Sequence, residues 1–305
     1  MDKLGAIRQK LGGNPVTVKE LRGRMRGARA FIILTIYLGI LVTLVSLVYF
    51  GFTASSRGLM APEIRLNMGK VIFGVVVTME LFLVIFVSPG LTAGAISSER
   101  EQQTFDLLRT TLLPARSLVL GKLLAALSFI FMLLLATLPL QSLSFLFGGV
   151  AREEFIIANI LLIVSALAYS SLGMLFSSLF KRTLIATVLS YATSILVVFG
   201  LPILVYAIIL SMSVFFSNLG QLTTTMEALL IRAGWLIISV NPLATAIVTE
   251  IIFIEQRSVF MASLPLNGDT NFPILSPWIG YSLIYLLLSL LFILLSIHFT
   301  RQTER

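Results

Sequence analysis

The sequence has no cysteine and a single histidine among its 305 residues. The absence of cysteine excludes disulfide bonds, thiolate metal sites and cysteine nucleophiles. One histidine is too few for the HExxH zinc motif or for a histidine-rich metal site. We therefore expect neither a metal site nor a catalytic residue in this chain.

Charged residues are also scarce. Only 12% of the residues are Asp, Glu, Lys or Arg, whereas 57% are apolar and the mean hydropathy is +1.00. An ordinary soluble domain has about 25% charged residues, and half of that charge cannot cover a surface that faces water. Most of the surface must then face lipid, which predicts a membrane protein.

A phosphate-binding loop is missing as well. In the pattern G-x-x-x-x-G-K-[ST], backbone N–H groups and a lysine hold nucleotide phosphates, and the Ser or Thr binds magnesium. The nearest matches, Gly69-Lys70-Val71 and Gly121-Lys122-Leu123, lack both that hydroxyl and the earlier glycine. We therefore expect that the chain holds no nucleotide cofactor and is not itself an enzyme.

Long apolar segments are what the sequence does have. A transmembrane helix needs about 20 apolar residues to cross a hydrocarbon core of about 30 Å. The first such segment is too long for a signal-peptide core, so it is expected to be a retained span. Six segments meet the required length and predict an all-α polytopic membrane protein: 31–52, 71–97, 123–147, 155–180, 184–215 and 278–299.

The distribution of Lys and Arg predicts the orientation of the spans. The connections on one side carry 16 of these residues and those on the other side carry 6. Because the basic side is normally cytoplasmic, we expect a multi-pass protein of the cell (inner or plasma) membrane with both termini in the cytoplasm. This asymmetry explains most of the net charge of +8, and nucleic-acid binding would need a soluble basic domain that the sequence lacks.

The external connection 217–277 contains two further apolar stretches. Thr224-x-x-Glu227 is a capping box for a helix that runs to Val240, and Asn241-Pro242 can start a second helix that ends near Gln256. Each helix is about 15 residues, or about 22 Å, which is short for a full crossing. We expect two re-entrant helices that dip into the outer leaflet, with two additional full spans as the alternative.

The N-terminal segment predicts an amphipathic helix that starts at the capping box Thr17-x-x-Glu20. Apolar residues recur at helical spacing and basic residues fill most of the remaining positions, so the helix should lie among membrane lipids at the cytoplasmic interface. It could serve only as a topology anchor, or it could also hold a cytoplasmic partner. Its characteristic residues are Val18, Leu21, Arg22, Arg24, Met25 and Arg26.

The cytoplasmic segment 98–113 also predicts a helix. Ser98-x-x-Glu101 is a capping box at its start, and Pro114 would end it. Phe105 and Leu108 fall on one apolar stripe. Such a stripe could fit a groove on another protein, or it could pack under its own bundle.

Three segments form a recognisable pattern: LTAGAISSERE at 91–101, TFDLL at 104–108 and VLGKLL at 119–124. With the six spans, the cytoplasmic termini and the helical external connection, they closely resemble ABC-2-type permeases, the membrane subunits of ABC exporters. The helix at 14–29 is similar to the elbow helix of that family. Gln102-Gln103 departs from the family pattern, because many relatives have a basic residue followed by Gly there. Pro114 also falls two positions later than the family's proline.

The resemblance implies a homodimer or heterodimer of permeases that works with two separate ATPase subunits, which bind ATP and magnesium. The segment 98–113 would be the coupling helix, and the external helices would cap the export pathway. The domains would be a cytoplasmic N-terminus (1–30), a transmembrane domain (31–299) and a cytoplasmic tail (300–305). The residues implied in docking on the ATPase are Glu99, Arg100, Glu101, Thr104, Phe105, Asp106 and Leu108.

Glu80 is an acidic residue inside a predicted span. It lies ten residues after Lys70, about 15 Å deep and near the midplane. A charge at this depth costs roughly 2.5–3.5 kcal/mol and usually faces the bundle interior or a cavity. Glu80 could be in the substrate pathway or could be hydrogen-bonded to a hydroxyl of Thr137, Tyr169, Ser170 or Tyr191. The candidate pathway or intramembrane polar residues are Glu80, Gln141, Tyr169 and Tyr191.

Two other classes of function are weaker alternatives. A membrane-embedded structural or signalling protein could recruit a soluble partner through the same cytoplasmic segment. An intramembrane enzyme would need converging acids, histidines or cysteines, and the sequence has no such set.

Overall fold

A computed structural model of the chain describes residues 20, 23, 28–55, 68–103, 114–204, 207–208, 211, 224–256, 258–265 and 271–302. The elements within these ranges are almost entirely helical. The helices are α1 Ala28–Ser55, α2 Met68–Thr92, α3 Ser97–Glu101, α4 Ala115–Phe147, α5 Arg152–Leu179, α6 Thr183–Ile195, α7 Thr224–Val240, α8 Pro242–Gln256 and α9 Pro277–Gln302. A π-helical segment, Leu196–Gly200, follows α6, and the strands β1 Met261–Pro265 and β2 Asn271–Leu275 precede α9.

Six helical segments are long and apolar enough to cross a membrane, which confirms the all-α polytopic class and the six predicted spans. The fifth segment consists of α6, the π-helical segment and the helical residues up to Leu204. The helix α4 begins at Ala115 rather than near Leu123. Pro114 has an extended backbone (φ −68°, ψ 144°) and directly precedes α4. Pro114 therefore opens α4. That it also ends a preceding helix stays a prediction, because residues 104–113 lie outside the described part of the chain.

Helix α5 is the centre of the bundle and packs against α2, α4, α6 and α9. The side of α5 that faces its neighbours is rich in small residues, and Gly173 marks the closest approach. A Cβ at Gly173 would lie 2.3 Å from Oγ1 of Thr92 and 3.1 Å from the backbone of Pro89. Lipid tails give apolar side chains no preference for one another, so close backbone approach is a main source of helix association in membranes.

Helix α1 packs at the edge of the bundle, against α2 and α4. Among the side chains of α1 whose burial is described, only the hydrophobic residues Tyr37 and Leu41 are buried. Large side chains such as Phe31 and Phe50 are more than half exposed. Helix α9 also exposes leucines along one side, including Leu287 and Leu290. In a six-span membrane protein such surfaces face acyl chains, so their exposure has no hydrophobic cost.

The connection before α9, which is predicted to be external, contains the two predicted helices, α7 and α8. They meet at Asn241 with a bend of 118°. The antiparallel hairpin β1–β2, in register from Met261–Leu275 to Pro265–Asn271, was not predicted. The sequence did carry a signal for it, because Asn267-Gly268 lies between two short apolar runs. The fully helical view of 217–277 is therefore corrected by one two-stranded sheet.

We expect Gly173→Ala to destabilise the bundle by about 1–3 kcal/mol, because the new methyl group overlaps Thr92 and Pro89 across the α2–α5 contact. The measurement is the midpoint of thermal unfolding of the purified chain in detergent. Gly39→Ala is the matched control, since a Cβ at Gly39 meets nothing within 4 Å. Equal midpoints for the two variants would show that this contact is not tight.

Candidate functional site

Two of the three sequence segments that carry the family resemblance, 91–101 and 119–124, come together at the end of the bundle that is predicted to be cytoplasmic. Ile96, at the end of the first segment, is fully buried against Val119 and Leu123, which flank Gly121-Lys122 in the last segment. Met174 of α5 completes this cluster. Residues more than 20 positions apart in the sequence therefore form one packed junction between α2, α4 and α5.

Lys122 is the charged centre of this junction. Its residue is only 4% exposed, and Nζ donates to a carboxylate oxygen of Glu99 at 2.6 Å and of Glu20 at 3.2 Å. A buried ammonium is tolerated only when it is paired and hydrogen-bonded. Lys122 thus connects α4 with the helix after α2 and with the N-terminal segment, a role that the sequence analysis did not find.

The short helix α3 continues the direction of α2 after one irregular turn. The N–H groups of Ile96 and Ser97 donate to Oγ of Ser177 at 2.8 and 3.0 Å. A serine on α5 therefore satisfies the backbone donors that are free at a helix start. The N–H of Ser98 donates instead to the carbonyl of Gly94 at 3.1 Å, as in a continuing helix.

The predicted capping box at Ser98 and Glu101 was therefore wrong. The Glu101 carboxylate accepts from the backbone N–H and the hydroxyl of Thr183, at 3.2 and 2.6 Å. Arg100 donates to the carbonyl of Ser178 at 2.8 Å. The charged side chains of α3 therefore have partners on the same chain, at the end of α5 and the start of α6.

The helix also ends earlier than predicted. α3 ends at Glu101, and Gln103 has φ 58°, in the left-handed region. A right-handed helix cannot continue through such a residue. The prediction of one continuous helix over 98–113 is therefore wrong at Gln103. Residues 104–113 lie outside the described part of the chain, and with them Thr104, Phe105, Asp106 and Leu108.

The elbow-helix residues also lie outside the described residues: Val18, Leu21, Arg22, Arg24, Met25 and Arg26. Two residues of that segment are described as helical, Glu20 and Gly23. Glu20 is the one that contacts Lys122. The predicted box at Thr17 and Glu20 stays a prediction, because Thr17 is not described.

Glu80 lies in a polar cluster inside the membrane-spanning part of the bundle. Its residue has no exposed surface, and one carboxylate oxygen accepts from Nε2 of Gln141 on α4 at 2.5 Å. The amide oxygen of Gln141 accepts in turn from Asn159 of α5 at 3.1 Å. Tyr37 of α1 interacts electrostatically with the same carboxyl group. The hydroxyl of Thr137, on α4, lies within hydrogen-bonding reach of it.

Two of the four candidate intramembrane residues, Glu80 and Gln141, are thus in direct contact. The hydroxyl of Thr137, one of the expected partners, also interacts with the Glu80 carboxyl group. The other two candidates lie elsewhere. Tyr169 packs at 6.1 Å from the ring of Tyr285 on α9, and Tyr191 stacks on Phe86 at 6.4 Å. These aromatic contacts fasten α5 to α9 and α6 to α2.

Asn241, at the bend between α7 and α8, is 98% buried. Its amide donates to the carbonyls of Val197 and Val198 at 2.9 Å each, and its Oδ1 accepts from the N–H of Ala244 at 2.9 Å. The two carbonyls belong to the π-helical segment after α6, where the usual i to i−4 pattern is interrupted. Asn241 therefore caps α8, as predicted, and also satisfies the π-helical segment.

The hydroxyl of Tyr285, on α9, also contacts the apex of the α7–α8 pair, which is the bend at Asn241. It donates to the carbonyl of Val240 at 2.7 Å. This carbonyl lies at the end of α7, where intrahelical partners are missing.

Among the described residues, no group of three acidic, histidine or cysteine side chains could hold a metal ion.

Comparison of the chain with models of protein families gives no match, and comparison with curated proteins gives none either.

We expect Glu80→Gln to keep nearly full stability, because its amide oxygen can still accept from Gln141. Glu80→Leu leaves that donor without an acceptor where water cannot replace it, at a cost of about 1–3 kcal/mol. The measurements are thermal unfolding and transport per folded molecule. Normal transport by Glu80→Gln supports a structural role, whereas lost transport at unchanged stability would assign Glu80 to the pathway.

Proposed function

We propose that the chain is the permease subunit of an ATP-driven exporter of the ABC-2 type. Two permease copies, identical or different, would form the pathway across the cell membrane, with both termini in the cytoplasm. Two separate ATPase subunits would bind ATP and magnesium. The observation that carries this proposal is the junction at Lys122, where two of the three sequence segments that resemble the family, 91–101 and 119–124, pack against each other.

The backbone at Gln103 adds support. Its φ of 58° is a conformation that favours glycine, and many ABC-2-type permeases have glycine at this point of the motif. The chain thus has the backbone conformation that suits the family's residue although it carries glutamine. The position at which the sequence departs from the family pattern is therefore the turn that ends α3.

The junction also suits a coupling role. α3 is joined to α4 through Glu99 and Lys122 at 2.6 Å, to α5 through Ser177, and to α6 through Glu101 and Thr183 at 2.6 Å. A displacement of α3 would therefore move the ends of several spans together. Packed elements with specific hydrogen bonds transmit such shifts because they do not deform gradually.

The same contacts refine which residues would meet the ATPase. Glu99, Arg100 and Glu101 use their side chains inside the chain, so reversing their charges would also disturb the bundle. In this proposal, contact with the ATPase depends mainly on 104–113, with Phe105 as its aromatic anchor. Aromatic side chains are frequent hot spots of such interfaces.

Single-cysteine crosslinking tests the coupling assignment, because the native chain has no cysteine. We expect Gln102→Cys, at the exposed end of α3, to crosslink to a co-expressed ATPase subunit encoded near this chain. Ser263→Cys, exposed on the external hairpin, is the control and should give no crosslink. The measurement is mass spectrometry of the crosslinked species, with ATP hydrolysis measured on the same preparation.

The expected activity is none for the isolated chain and measurable turnover for the complex. Phe105→Ala should reduce both ATPase capture and transport-stimulated hydrolysis, with the six spans still inserted. Robust hydrolysis by the isolated chain would contradict the proposal. A crosslink to a partner that hydrolyses no ATP would favour a protein that recruits a soluble partner for another purpose.

We further propose that α7 and α8 form a re-entrant pair that caps the pathway on the external side. Two contacts give the depth of the apex. Tyr285 is eight residues into α9, about 12 Å from its external end, and Val197 is 14 residues from the start of α6, about 21 Å from the cytoplasmic end. For a core of about 30 Å that begins and ends with these helices, both distances support an apex about 10 Å below the external boundary.

A spin label tests this depth. We expect a label at Leu236→Cys, one turn before the apex, to be more accessible to a water-soluble nickel relaxant than a label at Leu290→Cys. Both side chains are exposed on the bundle surface, but Leu290 is 13 residues into α9, about 20 Å deep. The re-entrant assignment is wrong if the label at Leu236 is as protected from the relaxant as the label at Leu290, or if it lies closer to the cytoplasm than that label. The pair would then cross the membrane.

A further inference from the structure

A cavity of about 450 Å³ lies between α2, α5 and α8, near the first residues of α2 and α5. Lys70, Glu154 and Glu250 line one end. The rest is lined mainly by apolar side chains and extends to Thr78 on α2 and Leu161 on α5, about 10–12 Å along each helix. Small-molecule sites typically measure about 300–1,000 Å³. This cavity therefore has the size of a ligand site, and its one polar end and apolar remainder suit an amphiphile.

The charges at the polar end do not balance. Nζ of Lys70 donates to Oε1 of Glu154 at 3.1 Å, and Oε2 of Glu154 accepts from the N–H of Ala151 at 3.1 Å. Glu250 interacts electrostatically with both charged residues, yet its Oε1 is buried and has no hydrogen-bond partner among the described residues. The lining therefore holds one acidic side chain more than it holds basic ones.

The neighbouring Thr249 is a second, independent indication. It is 3% exposed, lines the same cavity, and its hydroxyl has no hydrogen-bond partner in the described part of the chain. Buried polar atoms are normally hydrogen-bonded. A carboxylate oxygen and a hydroxyl oxygen can both accept, so what this end lacks is a positively charged donor.

An adjoining cavity of about 500 Å³ strengthens the same preference. It shares Lys70 and Glu154 with the first cavity and adds the carboxylate of Glu153. Its other lining residues belong to the connection before α5, to α8 and to the segment after α8. A cation that approaches the first cavity from this side therefore meets a further negative charge.

We propose that the cavity binds an amphiphile with an ammonium head group, which donates to Glu250 and Thr249, and with an apolar chain that occupies the space between α2, α5 and α8. The ligand would lie as an outer-leaflet amphiphile does, with its head at the membrane boundary and its chain toward the midplane. The same chemistry is found in a free alkylammonium and in the amine headgroup of a lipid. The site is formed by one chain, so it does not depend on an ATPase partner.

The test is saturable binding of radiolabelled dodecylammonium to the full chain in phosphatidylcholine nanodiscs, with empty nanodiscs subtracted. We expect Glu250→Gln to weaken binding by at least about tenfold, because a charge-assisted hydrogen bond is lost in a partly desolvated site. Glu255→Gln removes the same charge from an exposed position of the same helix and should bind normally. Dodecanol and dodecanoate should not compete.

Thr249→Val provides a second variant if Glu250→Gln reduces the amount of folded chain. It removes only the hydroxyl, and we expect severalfold weaker binding. Native mass spectrometry after reconstitution with phosphatidylethanolamine distinguishes the two sources. Bound lipid that dodecylammonium displaces identifies the headgroup, and dodecylammonium binding without retained lipid identifies a free amphiphile. Absence of saturable binding, or equal affinity in wild type, Glu250→Gln and Thr249→Val, would overturn the proposal, whatever the fate of the ATPase assignment.

Discussion

The absence of water inside a bilayer is the constraint on which the rest of this structure depends. Each polar atom in the membrane needs a partner within the protein, since an unpaired one is costly there. The hydroxyls of Thr43, Ser165 and Ser190 therefore donate hydrogen bonds to the backbone carbonyls four residues earlier. The same need explains why Glu80 and Gln141 are in direct contact in the buried interior.

Satisfied polar groups also determine how the elements are joined. The irregular turn after α2 is stabilised by Ser177 from α5, and the carbonyls of the π-helical segment are bonded by Asn241 from the external pair. In both places a break in one helix is completed by a side chain from another. Breaks therefore act as connection points between spans, whereas the uninterrupted helix α1 contacts its neighbours mainly through apolar residues.

The junction at Lys122 shows how charge and packing work together. Apolar residues around Val119 exclude water from Lys122, and this exclusion strengthens its attraction to Glu99 and Glu20. Both carboxylates remain partly exposed, at 21% and 28% for the side chains of Glu99 and Glu20. The ion pairs are therefore partly exposed to water at the two carboxylates and buried at the ammonium group of Lys122. They lie where a cytoplasmic partner in our proposal would act.

The sequence by itself determined the six spans and the helix break at Asn241-Pro242, because the length of apolar runs and the chemistry of caps are local properties. The same local rules were wrong for the box at Ser98 and Glu101, where contacts with α5 and α6 prevail. Only the tertiary structure decided that Lys122 binds Glu99, that Gln141 binds Glu80, and that Glu250 borders a cavity. These pairs lie 23 and 61 residues apart, and no helical period relates residues on different spans, so their contacts follow from how the helices pack.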